Sequence, residues 1–170
     1  SGKGDHFWDN GELNLLKALV LYVALDSNRT EDQKNLAEVY LMITDKSDKD
    51  YADIYKDLPK DHPARSSLNL YIRASETVRQ GIKQGLGTRL QVLQNKVVTR
   101  LISGNEIDLT APGKRKCAYY IILSDQETSM AFLSSLFFSF MFIKLTRFAD
   151  NSPGGHCPVP VNLVLDEFNN

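Results

Sequence analysis

Cysteine is scarce in this sequence, and the few cysteines are poorly placed for cross-linking or metal binding. Cys117 and Cys157 are the only two among 170 residues. Their wide separation excludes a disulfide-rich scaffold and favours free thiols in a reducing compartment. The short His156-Cys157 pair is too isolated for zinc, which needs four well-spaced ligands. We therefore expect neither disulfides nor a zinc site.

The sequence also lacks a recognisable signal peptide or membrane span. Its most apolar stretch, residues 130–143, is interrupted by Ser134, Ser135 and Ser139 and is shorter than a bilayer requires. This pattern is typical of a buried core helix. The apolar fraction of 42% is large enough for a globular core.

A third absence is the phosphate-binding loop G-x-x-x-x-G-K-[ST], although the chain has the metal-side motif that accompanies this loop in P-loop ATPases. Apolar residues 161–165 predict a buried strand, which is followed directly by Asp166 and Glu167. In P-loop motors the Asp holds the hydrated Mg²⁺ of the nucleotide and the Glu polarises the attacking water. A solvated acidic turn is the alternative interpretation. We expect Glu167 to be catalytic and Asp166 to bind Mg²⁺ through water only in a longer motor protein, of which this chain is an inactive fragment.

Apolar residues at helical spacing fill the first hundred positions and predict a helical bundle. The first helix is expected at residues 10–25. A capping-box sequence at Thr30 predicts the start of the second, which continues through Ile43. A third, short helix is expected at residues 47–57.

The longest apolar face runs from Tyr71 to Leu101 in steps of three and four, and it predicts one long helix. Three glycines fall within residues 81–87, and each costs roughly 1 kcal/mol relative to Ala inside a helix. We therefore expect a kink or break near Gly85. The cluster also permits close helix packing, which we favour over the alternative of a mobile loop facing a ligand.

The same stretch is strongly basic, whereas the region before it is acidic. Residues 65–100 hold seven bases against the single acid Glu76, and residues 26–61 hold ten acids against six bases. A solvated helix usually alternates its charges, so this run indicates contact with DNA phosphates or an acidic partner, with a merely solvated face as the alternative. No aromatic residue interleaves the run, which disfavours recognition of single strands by stacking. The candidate contact residues are Arg73, Arg79, Lys83, Arg89, Lys96 and Arg100.

The sequence pattern changes near Ser103. Residues 117–123 form a short, apolar, β-rich run, residues 130–148 predict an apolar helix, and residues 161–165 predict a second strand. A strand, an enclosed helix and a strand form a βαβ unit with parallel, buried strands. We expect two domains, at residues 7–103 and 104–170.

Several stretches together resemble the type IV secretion coupling proteins, the TraG/TraD-type conjugative DNA transfer ATPases. The resemblance covers nearly the whole chain, and the order of the stretches is more specific than any one of them. They are Phe7-Trp8-Asp9, residues 75–82, Ile107-Asp108-Leu109, residues 116–122 and residues 161–170.

This resemblance implies a mainly α fold, in which a helical all-alpha domain at residues 7–103 precedes a partial RecA-like α/β unit. Asp166 and Glu167 are then the Walker B acids of a membrane-anchored, hexameric motor that uses ATP and Mg²⁺. The all-alpha domain is expected to recognise the relaxase, its accessory processing proteins and DNA, and to deliver them to the secretion channel. We expect the fragment itself to be cytoplasmic, monomeric and without cofactor.

Two other functions remain open for the same residues. The region closes over the nucleotide site of a DNA-stimulated ATPase in the first. In the second it is an oligomerisation or partner-docking surface that makes no direct contact with DNA.

Overall fold

The computed structural model describes residues 3–122 and 131–165, and these residues are mainly helical, as the sequence predicts. The chain divides into a helical unit, Ser1–Gly104, and a second unit, Asn105–Asn170. The described elements are α1 (Lys3–Leu25), a first 3-10 helix (Glu31–Gln33), α2 (Leu36–Asp45), α3 (Asp48–Asp57), α4 (Ala64–Ile72), α5 (Glu76–Arg89), a second 3-10 helix (Gln91–Gln94), α6 (Lys96–Ile102), α7 (Ala111–Lys114) and α8 (Ala131–Asp150).

The core of the helical unit is built around α1, which packs against α2, α4 and α5. Leu15 and Leu19 of α1 are fully buried, as is Leu68 of α4. From α3, Tyr51 enters the same core and meets Tyr71 of α4 edge to face, with ring centroids 5.3 Å apart. Burial of these large side chains is the main favourable term in the stability of the unit.

The prediction of a single long helix between Tyr71 and Leu101 is wrong. The helix is interrupted at Arg73–Ser75, and again between the end of α5 at Arg89 and the start of α6 at Lys96. A polar side chain caps the α-helix that follows each interruption. Ser75 accepts a hydrogen bond from the backbone N–H of Val78 at 3.4 Å, and Asn95 accepts one from Val97 at 2.9 Å.

The break expected near Gly85 is absent, since α5 runs without interruption from Glu76 to Arg89 through all three glycines.

The second break changes which residues face the core. Leu86, Leu90 and Leu93 are buried as the apolar face predicts, but Val97 and Leu101 are 61% and 65% exposed. The second 3-10 helix shifts the helical register, so that Val98 takes the buried position instead. The apolar periodicity of the sequence therefore continues through the second 3-10 helix, but the buried face does not.

In the second unit, a network around Asp108 holds the short helix α7. The carboxylate of Asp108 accepts hydrogen bonds from Thr110 N (2.9 Å), Thr110 Oγ1 (2.6 Å) and Lys114 Nζ (3.0 Å). The Thr110 hydroxyl, followed by its backbone N–H and Lys114, lowers the pKa of Asp108 below its usual value. The backbone carbonyl of Asp108 accepts a hydrogen bond from the Tyr119 hydroxyl at 2.8 Å.

Close packing at Gly113 joins the segment after α8 to α7. A Cβ at Gly113 would lie 2.8 Å from the sulfur of Cys157, and the carbonyl of Gly113 accepts a hydrogen bond from Val159 N at 3.1 Å. Gly154 and Gly155, which have φ of 85° and 71°, supply the left-handed turn that leads into this contact.

The predicted strand, helix and strand of this unit are represented in the structure by the helix alone. Residues 117–122 and 161–165 form no strand, since no backbone ladder pairs them with another segment of the described chain. Apart from the half-buried Val161, their side chains are exposed, with Tyr120 at 91%, Ile122 at 94% and Val164 at 93%.

Helix α8 forms where the sequence predicts a helix, but it is not the buried core helix expected. Of its 20 residues only Met141 and Leu145 are buried, because few of the described residues pack against it. The helix is also longer than the apolar stretch 130–143, since α8 continues to Asp150. By length and composition alone it meets the requirements of a membrane span.

Candidate functional site

The six basic candidate residues divide into two groups of three. Arg79, Lys83 and Arg89 make contacts within the helical unit, whereas the other three are exposed and make no ion pair with any described residue. This second group, the free basic residues, consists of Arg73, Lys96 and Arg100.

Arg79 ties together α3, the end of α4 and α5. Its Nε lies 2.6 Å from Oδ2 of Asp48, and its Nη1 donates to the carbonyls of Ile72 at 3.3 Å and Ala74 at 2.5 Å. The other carboxylate oxygen of Asp48 accepts a hydrogen bond from the Tyr71 hydroxyl at 3.2 Å. Burial, with Asp48 second, raises the pKa of Tyr71, which keeps the hydroxyl a donor. The guanidinium of Arg79 is thus committed to packing.

Lys83 is engaged in a similar way at the neighbouring turn of α5. Its ammonium donates to the carbonyl of Lys46, which follows the last residue of α2, at 2.5 Å. The same ammonium lies 5.7 Å from the ring centroid of Tyr51, within range of a cation–π contact. Lys83 therefore stabilises the junction of α2, α3 and α5.

Arg89 pairs with a buried acid of α1. Its Nε lies 3.0 Å from Oε2 of Glu12, a residue that is only 7% exposed. Glu12 reaches this position because α5 has Gly85 there: a Cβ on Gly85 would lie 2.9 Å from Glu12 Cδ and closer still to Oε1. The packing role expected for the glycine cluster therefore holds at Gly85, where the missing side chain makes room for a carboxylate.

Gly85, which lies at this contact, and Gly87, two residues further along α5, should respond oppositely to alanine. We expect Gly85→Ala to lower the free energy of unfolding by about 1–3 kcal/mol, since the new methyl group displaces a buried carboxylate. Gly87→Ala should raise it by up to about 1 kcal/mol, because its position is open and alanine favours the helix. Urea unfolding followed by circular dichroism measures both.

A double-mutant cycle supplies the control for this prediction. In a Glu12→Ala background the methyl group at Gly85 meets no carboxylate, so the cost of Gly85→Ala should largely disappear. Equal effects of the two alanines in the unmodified chain would contradict the contact with Glu12.

The free basic residues lie at the end of α4 and along α6. Arg73 is the residue that follows α4, and Lys96 and Arg100 stand one turn apart on α6. Like charges four residues apart in a helix destabilise it by a few tenths of a kcal/mol when nothing neutralises them. This arrangement gives α6 two cations directed at solvent and available to an anionic partner.

Asp166 and Glu167 lie outside the described residues, so their roles in binding Mg²⁺ and in catalysis stay predictions. Among residues 3–122 and 131–165 no group of three or more His, Cys, Asp or Glu side chains is placed to hold a metal ion.

Sequence reasoning missed the exposed apolar pair Val97 and Leu101, which lies beside Lys96 and Arg100 on α6. Their spacing matched the buried stripe before them. The available signal was Asn95, a good helix cap, which marks a new helix with its own register.

Comparison with protein families gives a match over the whole chain. A family model described as type IV secretory system conjugative DNA transfer matches residues 1–170. Neither the curated proteins nor the solved structures include a match to the chain.

Proposed function

The chain belongs to the type IV secretory system conjugative DNA transfer family, and from this membership we propose that its helical unit is the substrate receptor of a coupling protein. In this proposal residues 7–103 are the all-alpha domain that recruits the relaxosome, a relaxase with its accessory proteins and DNA. The recruited complex is passed to a hexameric, membrane-anchored ATPase and its secretion channel, with these residues on the cytoplasmic side.

The observation that carries the proposal is the set of free basic residues. The cargo in conjugation is a nucleoprotein, whose phosphates and acidic side chains make it anionic. Arg73, Lys96 and Arg100 are exposed and make no ion pair with any described residue. They are suited to such a partner, because their charge is neutralised only on binding.

The second unit is assigned in this proposal to the motor fold. Exposure alternates along residues 119–122, at 39%, 91%, 41% and 94%, which is the period of an extended strand. Such a strand, together with the apolar surface of α8, is suited to burial in a larger α/β sheet. ATP and Mg²⁺ would act only in the complete motor, where Asp166 and Glu167 would be the Walker B acids.

A binding titration tests the receptor role. The probe is a fluorescently labelled oligonucleotide covalently joined to the relaxase of the same conjugative element, titrated with the 170-residue chain from about 50 to 200 mM salt. We expect the combined variant Arg73→Glu, Lys96→Glu, Arg100→Glu to weaken binding at least about tenfold at low salt, because it removes three attractive charges and adds three repulsive ones.

The control reverses three exposed lysines outside the basic run, Lys17, Lys49 and Lys60, which changes the net charge by the same amount. Equal loss in the control, or no binding by the unmodified chain, would reject the receptor role. The oligonucleotide alone is titrated in parallel. If the affinity for the oligonucleotide alone did not change with salt concentration, direct contact with DNA phosphates would be rejected. The remaining interpretation would be a surface that docks the protein part of the cargo.

A further inference from the structure

Helix α6 presents an apolar row and a basic row side by side. Residues in an α-helix are about 100° apart, so Lys96, Arg100, Val97 and Leu101 fall in that order within an arc of roughly 140°. All four are exposed, and Val98, which faces away from the basic row, is completely buried. The apolar pair therefore lies between the bases and the core of the unit.

This face is incomplete in the chain as described. Val97 and Leu101 are 61% and 65% exposed, and burying such side chains is worth about 1.5–3 kcal/mol each. A helix of only seven residues that leaves an apolar pair and two like charges at its surface gains from a partner that covers both. Apolar residues four apart, next to charges, are the usual pattern by which one helix contacts another.

We propose that this face of α6 binds an acidic amphipathic segment in a protein component of the cargo. The inference rests on the receptor function proposed above and narrows its ligand: carboxylates of the segment would meet Lys96 and Arg100, and its apolar side chains would cover Val97 and Leu101. DNA fits the face less well. Its phosphates could pair with Lys96 and Arg100, but the phosphate backbone offers no apolar surface to cover Val97 and Leu101.

Peptide binding measured by fluorescence polarisation tests this proposal. The probe is a labelled amphipathic helix with leucines at i, i+3, i+4 and i+7 flanked by glutamates, and its sister peptide has glutamine in place of each glutamate. An oligonucleotide of about 20 residues is the competing ligand class. All three are titrated with the 170-residue chain and its variants.

The variants separate the two rows. We expect Val97→Ser with Leu101→Ser, and Lys96→Gln with Arg100→Gln, each to weaken binding of the glutamate peptide about tenfold. The serine pair should leave oligonucleotide binding unchanged, and the glutamine peptide should bind more weakly than the glutamate peptide. The single variant Leu101→Gln tests the same contact if the serine pair disturbs α6, because glutamine is a good helix former. It too should weaken binding of the glutamate peptide.

Matched controls are available on α1 and in the connection between α3 and α4. Leu13 and Leu25 are 61% and 53% exposed, and their serine variants should not affect peptide binding. Lys17→Gln with Lys60→Gln is the charge control, and it too should have no effect.

Several results would overturn the proposal. Peptide affinity that is unchanged by the serine pair and by Leu101→Gln, or reduced equally by the control variants, would exclude this face. Tighter binding of the oligonucleotide than of the peptide, with loss on removing Lys96 and Arg100, would assign the face to DNA. After either result, the relaxase adduct, which is the oligonucleotide covalently joined to the relaxase, is titrated as well. If its binding still required the free basic residues, the receptor function would stand although this inference would be rejected. If the adduct also failed to bind, both would fall.

Discussion

Replacing Tyr51 by alanine is expected to lower the free energy of unfolding by about 3–5 kcal/mol, the largest effect of a single substitution in the helical unit. The side chain is fully buried, packs edge to face on Tyr71, and donates a hydrogen bond from its hydroxyl to the carbonyl of Met42 at 2.8 Å. Removing the ring leaves a cavity at the meeting point of α2, α3 and α4. Urea unfolding followed by far-UV circular dichroism measures the loss.

Phenylalanine at the same position separates the ring from the hydroxyl. Tyr51→Phe keeps the packing and leaves the carbonyl of Met42 with its second donor, the N–H of Lys46 at 3.3 Å. Its cost should therefore be only about 0.5–1.5 kcal/mol. If Tyr51→Ala proved no more costly than Tyr51→Phe, the central role of the ring in the core would be wrong.

The second large effect is expected at Arg79, which should behave as a structural residue although the sequence places it among the contact candidates. Arg79→Ala removes the ion pair with Asp48 and the donors to two carbonyls, and we expect it to lower the free energy of unfolding by about 2–3 kcal/mol. The same unfolding experiment measures this change.

Arg73→Ala is the matched comparison, since it removes the same side chain from an exposed position six residues earlier. Its effect on stability should stay within about 0.5 kcal/mol, while binding of the relaxase adduct weakens. A variant at Arg79 that folds with normal stability and loses adduct binding would show instead that this residue contacts the cargo.

Local signals predicted some helix starts correctly and misplaced others. The capping box formed by Ser47 and Asp50 begins α3 at Asp48, where the sequence predicts a helix. The box at Thr30 also forms, but it supports only the first 3-10 helix. The second helix starts later because the side chain of Asn35 accepts hydrogen bonds from the N–H groups of Ala37 and Glu38.

Features that depend on distant residues were not predictable in this way. The kink or break expected near Gly85 assumed that glycine weakens a helix. Here the space left by the missing side chain of Gly85 is occupied by Glu12 from α1. That contact fills the space beside the continuous helix α5, and no local sequence pattern reveals it. The commitment of Arg79 to Asp48 likewise depends on how α3 meets α5.

The predicted strands differ for a related reason. Residues 117–122 have the apolar, β-rich composition of a strand, and the alternating exposure of Tyr119 to Ile122 follows its period. A strand exists only when a neighbour completes its hydrogen bonds, and composition does not say where that neighbour lies. Asp166 and Glu167 lie outside the described residues, and their roles stay predictions.

The second 3-10 helix, Gln91–Gln94, sets the orientation of everything that α6 displays. A chain shorter or longer by one residue at this turn would rotate α6 by about 100°. Val98 would leave its buried position, and the apolar and basic rows would no longer point to solvent together. If α6 binds cargo as proposed, related chains that differ in length here should select different cargo even when every side chain of α6 is identical.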